Sequence, residues 1–302
     1  MTTRPPTQVR VIDPRVHTCM YPTDTDVGAV TSLGDEVFAV FINNDQHIQV
    51  YNVGSFNIRR LSQSISVPAL GCFSWGLAAC GHFNCIYVSD WGNDCVHRLK
   101  LPGGHSAMRW SVSSRPAGLS LTSDHSLLVA SQGEYKFQEF TTYGILLRNI
   151  SIMENRGSQV MQAVQLSDDL FLFTHFGKPE AHAVCAMLAS TGGIGARMLG
   201  GPRDSFQQLN RPAGLAVDKD GRVLVADWYN NRLLVLAVHK WTIPPQVTCL
   251  HTMSVSVDEG LKGPCSLWYD QARKRLCIGE CEWNGHRVIV VDNLEDFSVS
   301  KV

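Results

Sequence analysis

No stretch of this sequence approaches the roughly 18 consecutive apolar residues of a membrane-spanning helix, and residues 1–8 are polar and proline-bearing with no apolar leader core. The expectation is a cytoplasmic protein with no membrane partner. Charge of one sign is lacking too. Lys+Arg number 26 against 27 Asp+Glu, a formal net charge of -1, so no global field draws the chain to nucleic acid or anionic lipid, and such binding needs a local patch. No amphipathic helix of convincing length occurs. Gly192-Gly-Ile-Gly195 precedes no helix and reads as a hairpin turn rather than a phosphate loop. The ten cysteines are scattered and form no disulfide framework. Cys80 and Cys85 flank the turn Gly81-His82-Phe83-Asn84 and are placed to face each other, as thiols or as a bond. Cys277 and Cys281 share one strand, where four residues span about 13 Å, beyond disulfide reach. Neither pair has the CxxC spacing of a zinc site, and no metal or cofactor is expected.

What is present is self-similarity at a long period. Arg211-Pro-Ala-Gly-Leu-Ala-Val-Asp218, a turn at Lys219-Asp-Gly221, and Arg222 to Leu236 read as strand, turn, strand, turn, strand. Arg115-Pro-Ala-Gly-Leu-Ser-Leu121 opens another unit in the same way, and weaker copies begin near Gly28, Gly76, Gln162 and Pro264. Taking Ala29, Leu77, Leu119, Val164, Leu215 and Leu267 as equivalent gives intervals of 48, 42, 45, 51 and 52 residues. Such a unit cannot bury both faces of its sheet alone, so neighbours must stack and the stack must close. The expectation is all-β: one domain over 1–302, a six-bladed β-propeller of four-stranded antiparallel blades. The blades are placed at 27–66, 67–113, 114–154, 155–201, 202–256 and 257–302, with 1–26 as an N-terminal closing segment. Asp296–Val302 is placed as the outer strand of the last blade, with Gln8–Ile12 as a closing strand from the other end.

Pro212-Ala-Gly-Leu followed by Ala226-Asp-Trp-Tyr-Asn-Asn-Arg-Leu-Leu-Val resembles the NHL repeat: a Pro-x-Gly opening, an Asp, an Asn shortly after, then a basic-apolar run. Asp90-Trp-Gly-Asn93 with Arg98, and Glu280-Cys-Glu-Trp-Asn284 with Arg287, fit in two more blades. Blade four departs most, carrying Thr174-His-Phe-Gly-Lys178 where the Asp and Asn should stand. The resemblance implies a platform like the C-terminal module of tripartite-motif ubiquitin ligases, a protein-binding or RNA-binding surface, or a part of some lyases. RING and B-box cysteine/histidine spacing and a heptad coiled coil do not occur in the sequence, so ligase activity is not expected of this chain. The peptide-amidating lyases that it distantly resembles have a His directly after the proline of the opening motif; the matching positions here are taken as Ala117, Ala213, Gln162 and Cys265.

Ligands of propellers usually meet the face formed by the connections leading into the inner strands and by each blade's second hairpin. Five of those hairpins carry an aromatic: Trp91, Tyr135, Phe176, Trp228 with Tyr229, and Trp283. They read either as stacking or hot-spot anchors or as packing within the repeat. The lead-in connections of three consecutive blades carry Arg115, Arg156 and Arg211, with Lys178 and Arg203 in nearby loops. Asp45, Asp94, Asp258, Glu259, Glu280 and Glu282 are expected on the opposite half of the same face, which would orient an anionic partner; solvated loop charge is the other reading. Histidines fall singly, and His175 with His182 is read as a loop coincidence. The leading function is a monomeric protein-interaction scaffold that takes a peptide or folded protein. The alternatives are single-stranded RNA binding, favoured by the arginine arc, and a channel-mouth lyase or hydrolase; the chain is not expected to be an enzyme.

Overall fold

In the computed structural model the sequence copies become six sheets arranged around one axis. The structure describes residues 8–12, 27–41, 47–53, 59–60, 64–67, 69–71, 74–102, 107–153, 159–176, 182–199, 208–240, 245–255, 257–281 and 287–294. The first strand of the chain is β1 (Gln8–Ile12). Blade one holds β2 (Val27–Leu33), β3 (Glu36–Phe41), β4 (His47–Asn52) and β5 (Arg59–Arg60), with β6 (Ile65–Ser66) also on β4. Blade two holds β7 (Leu77–Cys80), β8 (Cys85–Asp90), β9 (Cys95–Lys100) and β10 (Ala107–Ser111). Blade three holds β11 (Pro116–Leu121), β12 (Leu127–Ser131), β13 (Lys136–Phe140) and β14 (Leu146–Ser151). Blade four holds β15 (Gln159–Gln165), β16 (Leu170–Phe176), β17 (Ala183–Leu188) and β18 (Ile194–Leu199). Blade five holds β19 (Pro212–Val217), β20 (Val223–Asp227), β21 (Arg232–His239) and β22 (Gln246–Met253). Blade six holds β23 (Pro264–Asp270), β24 (Arg275–Glu280) and β25 (Val288–Asp292). All pairings are antiparallel. The chain is a six-bladed β-propeller.

Ring closure comes from the N-terminal side. β1 pairs with β25, Gln8 opposite Asp292 and Ile12 opposite Val288, and so supplies the fourth strand of blade six. Arg10 pairs with Asp292 and donates to the Val53 carbonyl of blade one at 2.6 Å, which ties the closing strand across the seam. The tail Asp296–Val302, expected as the outer strand of this blade, lies outside the described residues, and the place beside β25 belongs to Gln8–Ile12.

The core lies between the blades. Because successive strand residues face opposite sides of a sheet, each blade sends one set of side chains to each neighbour. Ala79, Ile86 and Val88 of blade two meet Phe38 and Ile48 of blade one, while Ala78, Tyr87 and Val96 meet Leu119 and Val129 of blade three. The same division gives one apolar cluster at each of the other four junctions. Such packing needs neighbours on both sides, which is why the repeat is stable only as a ring.

Register corrects the alignment of copies in two blades. The inner strands of blades one, three, four, five and six each carry a bulge where the strand begins. Counting from it, the residue equivalent to Leu215 is Val30 in blade one, not Ala29, and Ala163 in blade four, not Val164. A one-residue slip reverses which side a strand residue faces, and apolar residues stand on both sides here, so hydrophobicity alone does not fix the phase.

Candidate functional site

The bulges place one residue from each blade around the axial mouth. In blades one, four, five and six these are Gly28, Met161, Ala213 and Cys265, with Trp75 at the equivalent place in blade two; Ala117 holds the equivalent strand position in blade three, where Gly118 lines the mouth. The residue after the opening proline is therefore matched in blade four by Met161, one before the expected Gln162. The next position is Gly76, Gly118 and Gly214 in blades two, three and five. It is glycine because adjacent inner strands approach closely: a Cβ on Gly76 would lie 2.3 Å from the Ala117 carbonyl oxygen, and one on Gly118 2.5 Å from that of Met161. Gln162 stands there in blade four and uses its side chain instead, its Oε1 accepting from the Leu215 N–H of blade five at 2.7 Å.

Trp75 was not singled out in the sequence, and it dominates the mouth. It reaches across from blade two to blade five, where its ring lies 6.3 Å from Trp228 at 55°. Trp228 is buried, packs with Ala213, Cys265 and Cys281, and donates from Nε1 to the Cys281 carbonyl of blade six at 2.7 Å. Trp91 follows the same rule at the junction of blades two and three, donating to Gln132 Oε1 of blade three at 3.0 Å. The hairpin tryptophans thus lock each blade to the next. The column reading that would have found Trp75 is simple: it precedes Gly76 where the other Pro-x-Gly units have Ala117 and Ala213.

The arginines join the aromatics. Arg115 lies 5.0 Å above the Trp91 ring, and Arg211 lies 4.4 Å above Tyr229 and 5.9 Å from Trp228, donating to the Tyr229 hydroxyl at 2.6 Å. Both arginines adopt positive φ, +54°, immediately before a proline, a conformation held by bonds to the neighbouring blade. The Arg115 N–H donates to Asp94 Oδ1 at 2.6 Å and the Arg211 N–H to His182 Nδ1 at 3.2 Å. Arg115 is exposed, Trp91 half-buried and Tyr229 44% exposed, so these two cation–π pairs form the accessible rim. Tyr135 packs on the junction of blades three and four. Phe176 ends β16, with its side chain outside the described residues, as are Arg156, Lys178, Arg203 and Trp283.

Among the described residues the expected division into basic and acidic halves is not assembled. Asp94 sits beside Arg115 rather than opposite it, Glu280 is buried against Arg287 at 2.7 Å, and Glu259 pairs with Lys262. Asp45 and Glu282 lie outside the described residues. The acidic residue of the repeat has a structural duty. Asp227 accepts from the Asn210 N–H at 2.7 Å, from Asn230 at 2.8 Å and from Arg232 at 2.7 Å, tying the lead-in loop to the second hairpin. Burial pushes its carboxyl up from the ordinary carboxylate value against the pull of these donors. Glu280 repeats the arrangement with the Lys262 N–H and Arg287. Asp90 does so with Gly71, Asn93 and His97; burial opposes its charge, yet His97, Asn93 and Gly71 hold its carboxyl below the usual range. Cys80 and Cys85 are opposed in register as foreseen and are free thiols.

A family profile for the NHL repeat matches residues 209–236. Blade five carries an NHL repeat. Its matched span runs from the lead-in loop through the Asp227, Asn230 and Arg232 network of this NHL blade. No curated protein matches the chain. Solved structures of similar fold include a catalytically inactive virginiamycin B lyase from Staphylococcus aureus with quinupristin, 11% identical, covering 95% of this chain and 99% of that one with a TM-score of 0.60. Kuenenia stuttgartiensis hydrazine synthase is 12% identical over 91% of this chain and 97% of that one, TM-score 0.61. The WD40 propeller domain of Doa1 is 9% identical over 92% and 96%, TM-score 0.57. These similarities establish the propeller fold alone.

Proposed function

We propose that this propeller is a monomeric, cytoplasmic protein-interaction scaffold, akin to the NHL platforms of tripartite-motif proteins, and that it binds a peptide or folded partner on the face bearing Trp75, the Arg115–Trp91 pair and the Arg211–Tyr229 pair. The observation that carries this reading is the exposed rim of guanidinium–aromatic pairs around a mouth covered by Trp75. Arginine and aromatic side chains are the residues over-represented in binding hot spots, and a guanidinium selects carboxylate-bearing partners. Binding is favoured over catalysis because the described residues at the mouth, Gly28, Trp75, Met161, Ala213 and Cys265 among them, include no histidine or carboxylate for acid–base chemistry.

The same stacks favour a second reading, single-stranded RNA, whose bases stack on aromatics while its phosphates meet arginine. The net charge of -1 weighs against it. The test is affinity purification from native cells with wild type and an Arg115→Ala/Arg211→Ala/Tyr229→Ala variant, beside a titration with random RNA oligomers. Partners captured by wild type and lost by the variant support the scaffold. Micromolar RNA affinity that falls steeply with salt transfers the face to RNA. Retention of every partner by the variant removes the face from either role.

A further inference from the structure

Blades two, five and six each end the second strand on a buried acid, and each must supply that acid with positive charge. In blade five the residue opposite Asp227 on the third strand is Arg232, and in blade six Arg287 serves Glu280. In blade two the residue opposite Asp90 is Cys95, with His97 two positions on, on the same side of β9. All three side chains are buried, at 0%, 3% and 2% exposure. The His97 Nε2 stands 2.9 Å from Asp90 Oδ2 and 3.5 Å from Cys95 Sγ, and the three donor atoms lie within 4.8 Å of one another.

We propose that Asp90, Cys95 and His97 form a zinc site in blade two, in which the ion takes the place that Arg232 fills in blade five. A carboxylate, a thiolate and an imidazole are the ligand types of zinc, and the soft sulfur disfavours magnesium or calcium. Zn–N and Zn–O bonds of about 2.0 Å and one Zn–S bond of about 2.3 Å put tetrahedral ligand atoms about 3.3–3.5 Å apart, so the trio, its donor atoms within 4.8 Å of one another, needs only small movements to close on an ion. The charge balances. Binding releases the Cys95 thiol proton to solvent and leaves His97 a neutral ligand with its proton on Nδ1, so thiolate plus carboxylate against Zn2+ make the buried site neutral. Asp90 is already oriented, since its Oδ1 accepts from the Gly71 and Asn93 N–H groups at 3.1 Å each, leaving Oδ2 toward His97. The trio supplies three of the four ligands of a tetrahedral site.

The test uses the full chain, stripped with chelator and titrated with zinc against a chromogenic competitor, and with Co2+ as an optical probe. Wild type should take up one equivalent and show a thiolate-to-cobalt charge-transfer band. Cys95→Ser should lose the band, and His97→Asn should weaken zinc by more than about 100-fold, beyond the cost of an outer partner. X-ray absorption of the wild-type zinc complex, which needs no variant to fold, should show one sulfur among nitrogen and oxygen ligands. Cys95→Arg, which restores the pattern of blade five, should fold without binding zinc. No uptake by wild type, a band that survives in Cys95→Ser, or a shell without sulfur or with two would each overturn the site.

Discussion

Blade five and blade two both end their second strands on a buried aspartate followed by a tryptophan, yet they neutralise and cover themselves by different means. Asp227 is answered by a guanidinium and Asp90 by an imidazole beside a thiol. Trp228 is buried under Trp75, while Trp91 keeps part of its surface beside Arg115. The repeat therefore fixes where a buried acid, a hairpin aromatic and a close glycine must stand, and leaves each blade free in how it meets those needs. The comparison teaches that the invariant parts hold the ring together and the variable parts give the face its character.

Removing the acids should separate the blades most. Asp227→Ala leaves the half-buried Arg232 guanidinium without its carboxylate and should cost about 3–5 kcal/mol, whereas Asp90→Ala in metal-free protein leaves the Gly71, Asn93 and His97 donors unmatched and should cost about 1–3 kcal/mol. Denaturant unfolding at neutral pH reads both, and equal losses would dissolve the distinction. The tryptophans should rank in the same order. Trp228→Ala empties a buried junction and should cost about 3–5 kcal/mol, and Trp91→Ala, half-exposed, clearly less.

Glycine tests the reverse bias, because the tighter approach is in blade two. Gly76→Ala meets the Ala117 carbonyl at 2.3 Å and Gly214→Ala the Leu267 nitrogen at 2.8 Å, so both should lower the melting temperature, at about 1–3 kcal/mol, with Gly76→Ala the worse. If Gly214→Ala proved more damaging, the inner strands would be spaced differently from the structure. The pH dependence of blade five follows from Asp227. Burial raises its folded pKa above the unfolded value of about 3.9, so the folded state holds the proton more tightly. Its contribution to stability therefore falls as pH rises through that window, and wild type should gain on Asp227→Asn as pH drops from about 6 to 4. A difference that shrinks instead would mean that Arg232 outweighs burial. Smallest of all, Tyr229→Phe removes an exposed contact with Arg211 and should change stability by less than about 0.5 kcal/mol. Its effect belongs to partner binding.

Much of the blade pattern was legible because it follows from period: a sheet that cannot cover both faces, turn residues between apolar runs, and the recurring Asp-Trp of Asp90 and Asp227. The candidate face was legible in part. Arg115 with Trp91 and Arg211 with Tyr229 were named and do meet, since hairpins of equivalent position must share a face. Trp228 was read alongside Trp91 and Tyr229, yet it is buried, because exposure at a hairpin depends on the neighbouring blade. Asp94 and Glu280 were assigned to an acidic half, yet Asp94 bonds to the next blade at Arg115 and Glu280 is buried against Arg287 of its own blade.

The sequence by itself determined the number of copies and the residues that recur among them, because strand alternation, turn chemistry and glycine at crowded backbone positions are local requirements. Only the tertiary structure decided that Gln8–Ile12 pairs with Val288–Asp292, that Val30 and Ala163 rather than Ala29 and Val164 fill the equivalent positions, and that Trp75 crosses the mouth to Trp228. Each of these depends on residues far apart in the chain meeting across a closed ring, where bulge register and neighbour packing, not local preference, set what a side chain touches.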